Sequence, residues 1–251
     1  MENIAGKTAL VTGASQGLGR VIALELAKAG CRVIVNYANH SGNAEKVVAE
    51  ITAAGGTAEP FRCDVSDEPA VHAMFAALEE RFGGVDILVN NARIDPWRRE
   101  ASMSEGEWFD RVLSINLKGA LLTSVAFMPK AMERRYGRIV NVSSVRAFRA
   151  AEPNMIAYGV SKLGMHGLTR AFAEQGAPFN VTCNTVAPGM ILTENIAKRL
   201  TPEKYAEECS AIPMRRGGTA EEIADAVLFP IRNGYVTGET ININGGMYYA
   251  P

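Results

Sequence analysis

The chain has 251 residues, a formal net charge of −1 and a hydrophobic share of 47%. That length suits one large α/β domain with a sizeable core, and near-neutral charge leaves no electrostatic footprint for nucleic acid or an anionic membrane surface. The four cysteines (Cys31, Cys63, Cys183, Cys209) are scattered without a CxxC, and His40, His72 and His166 show no ligand spacing; reduced thiols, a cytoplasmic location and no metal are expected.

The start, MENIAGK, lacks a basic segment followed by a long apolar stretch, and no apolar run reaches transmembrane length; neither a signal peptide nor a membrane span is expected. From there short β-rich runs alternate with longer helical patterns. A strand at 8–13 (TALVTG) precedes a helix near 17–29, and a strand at 32–37 (RVIVNY) precedes a helix near 42–54. A strand at 57–65 leads to a helix near 67–82, and one at 86–91 (DILVNN) to a long helix near 104–135. Strands at 137–144 and 180–188 flank a helix near 156–175; a last helix near 219–233 precedes a strand at 239–244. Most strands are nearly continuous apolar runs, as parallel strands buried on both faces require. The repeat predicts a single doubly wound parallel sheet of about seven strands with helices on both faces. No linker divides 1–251. The stretch 190–218 interrupts the alternation, carries Pro202 and Pro213, and is expected to cover a site.

TALVTGASQGLGR sets a glycine-rich turn between the first strand and a helix, with spacing Gly13-x-x-x-Gly17-x-Gly19. Glycines permit close backbone approach, and the helix N-terminus offers N–H groups to a pyrophosphate; such turns also occur as plain loops. The second strand ends in Asn36-Tyr37-Ala38-Asn39-His40, without the carboxylate that bonds an NAD ribose. Its absence removes a barrier to a 2′-phosphate, but Gln16 and Tyr37 supply no cation, so NADP(H) is favoured modestly and NAD(H) stays open.

Residues 158–162 read YGVSK, with a phenol and an amine four residues apart. On a helix they share one face, where the lysine charge favours phenolate and makes a tuned acid/base; the same pattern also suits an ordinary surface pair.

TGASQGLG (12–19), NNAR (90–93), Asn116, SS (143–144), YGVSK (158–162), PGMILT (188–193) and YVTGETININGG (235–246), in this order, make the chain resemble the short-chain dehydrogenase/reductase family, nearest its 3-ketoacyl-reductase-like members. The resemblance runs end to end. It implies a Rossmann-like domain and an NAD(P)(H)-dependent interconversion of a ketone or 3-oxoacyl group and a secondary alcohol. Tyr158 is then the general acid, Lys162 lowers its pKa and holds the nicotinamide ribose, Ser144 rather than Ser143 binds the substrate oxygen, and Asn116 shapes a water-linked proton path. Cofactor contacts implied are Gly13, Ser15, Gln16, Gly17, Leu18, Gly19, Asn36, Tyr37, Asp64, Val65, Asn91, Ala92, Tyr158, Lys162, Pro188, Gly189, Ile191 and Thr193, with Asn90 bracing the central strands. Family members are commonly homotetramers, with a dimer the other expectation. The partner is a small carbonyl or alcohol substrate. Alternatives are an oxidative NAD-linked alcohol or sugar dehydrogenase and a non-catalytic dinucleotide-binding regulator.

Two features depart from the family pattern. Arg93 stands where glycine is usual, and Arg98, Arg99, Arg146 and Arg149 fall in loops expected around the cleft; they read as an anion site or as solvated loop charges. For a carrier-protein substrate, Arg135 sits where one basic docking residue is expected, while Phe179 replaces a second. Met190, Ile191, Leu192, Ile196, Leu200, Ile212 and Met214 read as an apolar substrate wall or as helix packing.

Overall fold

The computed structural model describes residues 1–149, 152–192 and 200–249. Seven strands form one sheet: β1 (Thr8–Val11), β2 (Arg32–Tyr37), β3 (Thr57–Arg62), β4 (Ile87–Asn90), β5 (Gly137–Val142), β6 (Val181–Pro188) and β7 (Thr240–Ile243). Their spatial order is β3-β2-β1-β4-β5-β6-β7, and every pairing is parallel. The helices are α1 (Gly17–Lys28), α2 (Ser41–Ala53), α3 (Glu68–Phe82), α4 (Glu105–Leu113), α5 (Gly119–Arg134), α6 (Ile156–Gly176), α7 (Pro202–Ser210) and α8 (Ala220–Arg232).

The apolar strand runs exist because helices cover both faces. Along β1, Ala9 and Val11 face a core shared with Ile22 and Leu26 of α1 and Val227 of α8. Leu10 faces the opposite core, with Met74 and Leu78 of α3, Phe127 of α5 and Phe172 of α6. Each such aliphatic side chain, removed from water, contributes roughly 1.5–3 kcal/mol. Pro60 is tolerated because β3 is an edge strand.

Helix starts follow local chemistry. Asp67 accepts from the Ala70 N–H at the head of α3, and Ser104–Glu107 and Thr219–Glu222 form capping boxes at α4 and α8.

The expected strands are all present, but β1, β3, β4 and β5 stop one to three residues early, before Thr12, Cys63, Asn91 and Ser143. Those residues leave the ladder at the carboxyl edge of the sheet, where ligands of doubly wound sheets bind. The single helix expected over 104–135 is α4 and α5 joined by a π-helical segment, Ser114–Lys118. Glu105–Arg134 is long and apolar enough to cross a membrane by length and composition, contrary to the reading that no segment reaches that length. Asn116 and Lys118 interrupt it, and Leu122, Phe127 and Met128 pack into the core. The 190–218 stretch holds a helix the alternation did not predict: Thr201 caps α7 by accepting from the Lys204 N–H, and Pro202 occupies its first turn. The stretch is pinned at its base where Leu192 N–H donates to Gly218 O and Gly218 N–H to Met190 O.

Asn90, at the end of β4, ties the centre together. Its amide donates to Asn141 Oδ1 at 2.8 Å and Ser124 Oγ at 3.0 Å, and its Oδ1 accepts from Thr123 at 2.7 Å. Truncation in Asn90→Ala takes this donor from Asn141 Oδ1 and Ser124 Oγ, while the Thr123 hydroxyl keeps the Gly119 and Ala120 carbonyls, and we expect a loss of about 2–4 kcal/mol in urea unfolding. A change below about 0.5 kcal/mol contradicts the brace.

Candidate active site

The site is assembled at the carboxyl ends of the strands. After β1 the backbone turns at Gly13 with φ of +62°, where a Cβ would lie 2.9 Å from the Ala92 backbone. A Cβ on Gly19 would lie 2.6 Å from the Gly13 carbonyl, so only glycine lets α1 seat this close to the turn. Asn91 holds the turn from the next strand, its amide donating to Thr12 O at 2.9 Å and Gly13 O at 3.2 Å. The backbone N–H groups of Asn91 and Ala92 donate to Thr12 Oγ1. At the head of α1, Gln16 is extended and provides no side-chain cap, and the first turn carries no acidic residue. The first N–H groups are thus left for an anion, and open space surrounds Gly17. Ser15 is buried in the same turn. These residues fit a dinucleotide pyrophosphate.

Two expected contacts change character. Asn36 is buried, its Oδ1 accepting from the Gly13 N–H at 3.2 Å and its amide donating to Cys63 O at 3.0 Å and Phe61 O at 3.3 Å. Its side chain is consumed in stitching three strand ends, so it shapes the turn. The Val65 side chain is buried, with its Cγ2 where a Cβ on Gly119 would fall; any adenine contact there is left to its outer edge and to exposed Asp64. Tyr37 packs partly against the core. Pro188, Gly189 and Ile191 follow β6 into the cleft, with Gly189 pressed against the Asn244 backbone. Thr193 and Ile196 lie outside the described residues.

YGVSK sits in the first turns of α6, and both of its site groups are buried rather than on the surface. Lys162 Nζ donates to Val142 O at 2.7 Å and stands 5.7 Å from the Tyr158 ring centroid. Of the two serines after β5, Ser143 is engaged elsewhere. Its hydroxyl donates to Lys162 O at 3.0 Å and, having one proton, accepts from His166 Nε2 at 2.9 Å. His166 Nδ1 then accepts from Thr240 Oγ1 at 2.9 Å. Ser144 lines the same cleft as Tyr158, and its hydroxyl oxygen accepts from the Arg146 N–H at 3.1 Å. Asn116, on the π segment, accepts from Ile94 N–H at 2.8 Å and donates to Ser161 Oγ at 3.2 Å, linking the loop after β4 to the residue beside Lys162.

Ser143, Ser144 and Tyr158 line a cleft of about 440 Å³ that also includes Leu18 of α1, Pro188 and Gly189. Its walls add Arg93, Asp95, Trp97, Arg146, Glu152, Met155, Met190, Glu208 and Met247, most of which sequence reading did not place there. Of the expected apolar wall, Met190 and Ile191 line the cleft, Ile212 is buried, and Leu192 and Met214 are exposed.

Residues 13–248 match the family described as enoyl-(acyl carrier protein) reductase. A 3-oxoacyl-(acyl-carrier-protein) reductase of Staphylococcus aureus is 40% identical over 244 residues, covering 96% of this chain and 98% of the relative. The chain belongs to the short-chain dehydrogenase/reductase family. Solved structures agree. One, assigned as a gluconate dehydrogenase from Agrobacterium tumefaciens, has a TM-score of 0.89 at 35% identity, covering 98% of this chain and 97% of that one. A 3-oxoacyl-(acyl-carrier-protein) reductase from Brucella melitensis has a TM-score of 0.88 at 32% identity, covering 99% of this chain and 93% of that one. The protein is an NAD(P)-dependent oxidoreductase.

Within this family frame the electrostatics depart from the sequence expectation. Burial raises the Tyr158 pKa above its ordinary value; the cation that opposes this most is Arg93, with Asp95 acting against it. Burial, reinforced by Arg93, lowers Lys162 to about 7. The charge beside the phenol is therefore chiefly the guanidinium of the loop after β4. Arg93 Nε donates to Asp95 Oδ1 at 2.7 Å, Arg146 pairs with Glu152 at 3.1 Å, Arg99 pairs with Glu105, and Arg149 donates to Met247 O at 2.8 Å. Four of the five arginines flagged as an anion site are already partnered, which removes the main ground for that reading.

The two loop charges act on Tyr158 with opposite sign. In Arg93→Gln the cation that favours phenolate is lost, so the alkaline limb of kcat/KM for carbonyl reduction moves to higher pH. In Asp95→Asn the opposing carboxylate is lost, and the limb moves to lower pH. Displacement of both in the same direction contradicts the assignment.

Proposed function

We propose that the protein reduces 3-oxoacyl thioesters to 3-hydroxyacyl thioesters with NADPH in the cytoplasm. The carrying observation is that Ser144 and Tyr158 line one cleft that reaches Leu18 of the glycine-rich turn. A bound nicotinamide supplies the hydride. Tyr158 donates its proton to the carbonyl oxygen as charge develops there, and the Ser144 hydroxyl hydrogen-bonds the same oxygen. Lys162, which donates to the Val142 carbonyl, would hold the ribose and return a proton toward Tyr158. Asn116 keeps the Ile94 backbone and Ser161 in register around that route. The names of the 3-oxoacyl reductase relatives support the substrate class.

A second reading, an oxidative sugar-acid dehydrogenase, draws on the Agrobacterium structure. Initial rates on acetoacetyl thioester with NADPH and on aldonic acids with NAD+ separate the two. We expect thioester reduction to prevail, and Tyr158→Phe to lower kcat about 10²–10⁴-fold while binding cofactor. Preferred oxidation of an aldonic acid contradicts the thioester reading. Full activity in Tyr158→Phe contradicts the acid assignment, and absence of turnover with retained cofactor binding favours a regulator.

We further propose a homotetramer. Leu121 and Val125 of α5, and Ile156, Val160 and Leu163 of α6, are exposed at helical spacing, forming apolar stripes fit for burial against a second copy. Light scattering of Val160→Glu/Leu163→Glu is expected to show a smaller species than the parent. An unchanged mass contradicts this face as an interface.

A further inference from the structure

We propose that Arg62 is the residue that recognises the ribose 2′-phosphate of NADP(H), an inference that rests on the dinucleotide reading above. By sequence position the phosphate's ligand is sought at the end of β2 and in the glycine turn, and neither holds a lysine or arginine. The fold brings one from the neighbouring strand. In the parallel register Tyr37, the last residue of β2, sits beside Arg62, the last residue of β3, so both side chains leave on one face of the sheet. Arg62 Nε donates to Ala38 O at 3.2 Å, which fixes the guanidinium over the turn that follows β2. That turn is where sheets of this class receive the adenosine ribose.

The rest of the fork is available. Arg62 is exposed, and its two terminal nitrogens have no hydrogen bond or ion pair among the described residues. Carboxylates on this and the adjoining elements have other partners. Asp64 Oδ1 accepts from Ser66 N–H and Oγ, Glu59 pairs with Arg81, and Glu50 receives a two-nitrogen fork from Arg20. A planar guanidinium anchored through Nε presents its remaining N–H donors as a fork, the geometry that suits phosphate oxygens. The Asn36 side chain, locked between the glycine turn and β3, keeps the end of β2 fixed beneath it.

The test is calorimetric titration of NADP+, NAD+, 2′-AMP and 5′-AMP into the parent and into Arg62→Gln and Arg62→Lys, with circular dichroism as the fold control. We expect the parent to bind NADP+ more tightly than NAD+. Arg62→Gln should weaken NADP+ and 2′-AMP about 10- to 100-fold and change NAD+ and 5′-AMP less than about 2-fold, with Arg62→Lys in between. Equal weakening of NADP+ and NAD+ overturns the role of Arg62, as does tighter binding of NAD+ by the parent; both leave the dinucleotide reading standing. Failure of the parent to bind either dinucleotide overturns both.

Discussion

The hydrogen bond from Lys162 Nζ to the Val142 carbonyl is the contact on which the site depends. An amine sealed among apolar groups is costly to keep charged, and this one has a strand-end carbonyl and the Met165 sulfur as its hydrogen-bond partners. The bond draws the first turns of α6 against the end of β5, where the backbone has just left the ladder. The same helix is tied a second time, through Ser143 to the Lys162 carbonyl and to His166, and onward to Thr240 of β7. Burial holds His166 down to about 4, so that relay stays neutral and keeps one tautomer. With Ser143 committed to this scaffold, Ser144 is the hydroxyl left facing the phenol.

Burial has an electrostatic consequence. A lysine lowered to about 7 is only partly charged at neutral pH, so its pull on the phenol is weak. The guanidinium of Arg93 keeps its charge, and Asp95 moderates it at 2.7 Å. The loop after β4 is itself gripped by Asn116, a buried side chain on the π segment. Departure from glycine at position 93 therefore joins the acid/base pair to a charged loop whose position is set by the helix that follows. Such π segments recur at functional sites because they displace side chains without ending the helix.

Much of this was legible in the chain because it is encoded locally. Continuous apolar runs such as RVIVNY report burial on two faces. YGVSK places two groups on one helical face wherever the helix lies. What escaped is set by partners distant in sequence. Asn36 reads as a ligand at the end of β2, yet its side chain is taken up by Gly13 and Cys63. Arg62 looks like an edge-strand surface residue until the register sets it beside Tyr37. The α7 helix had its signals in Thr201 and Pro202, but it falls outside the strand–helix alternation used to read the chain.

The most direct measurement is a carbon NMR titration of Tyr158 in protein labelled at tyrosine Cζ, assigned with Tyr158→Phe. Burial outweighing the nearby cation predicts that the phenol of the free protein titrates above the ordinary value of about 10. A Tyr158 that ionises below that value contradicts the account, because the lysine would then be charged and setting the phenol's pKa itself.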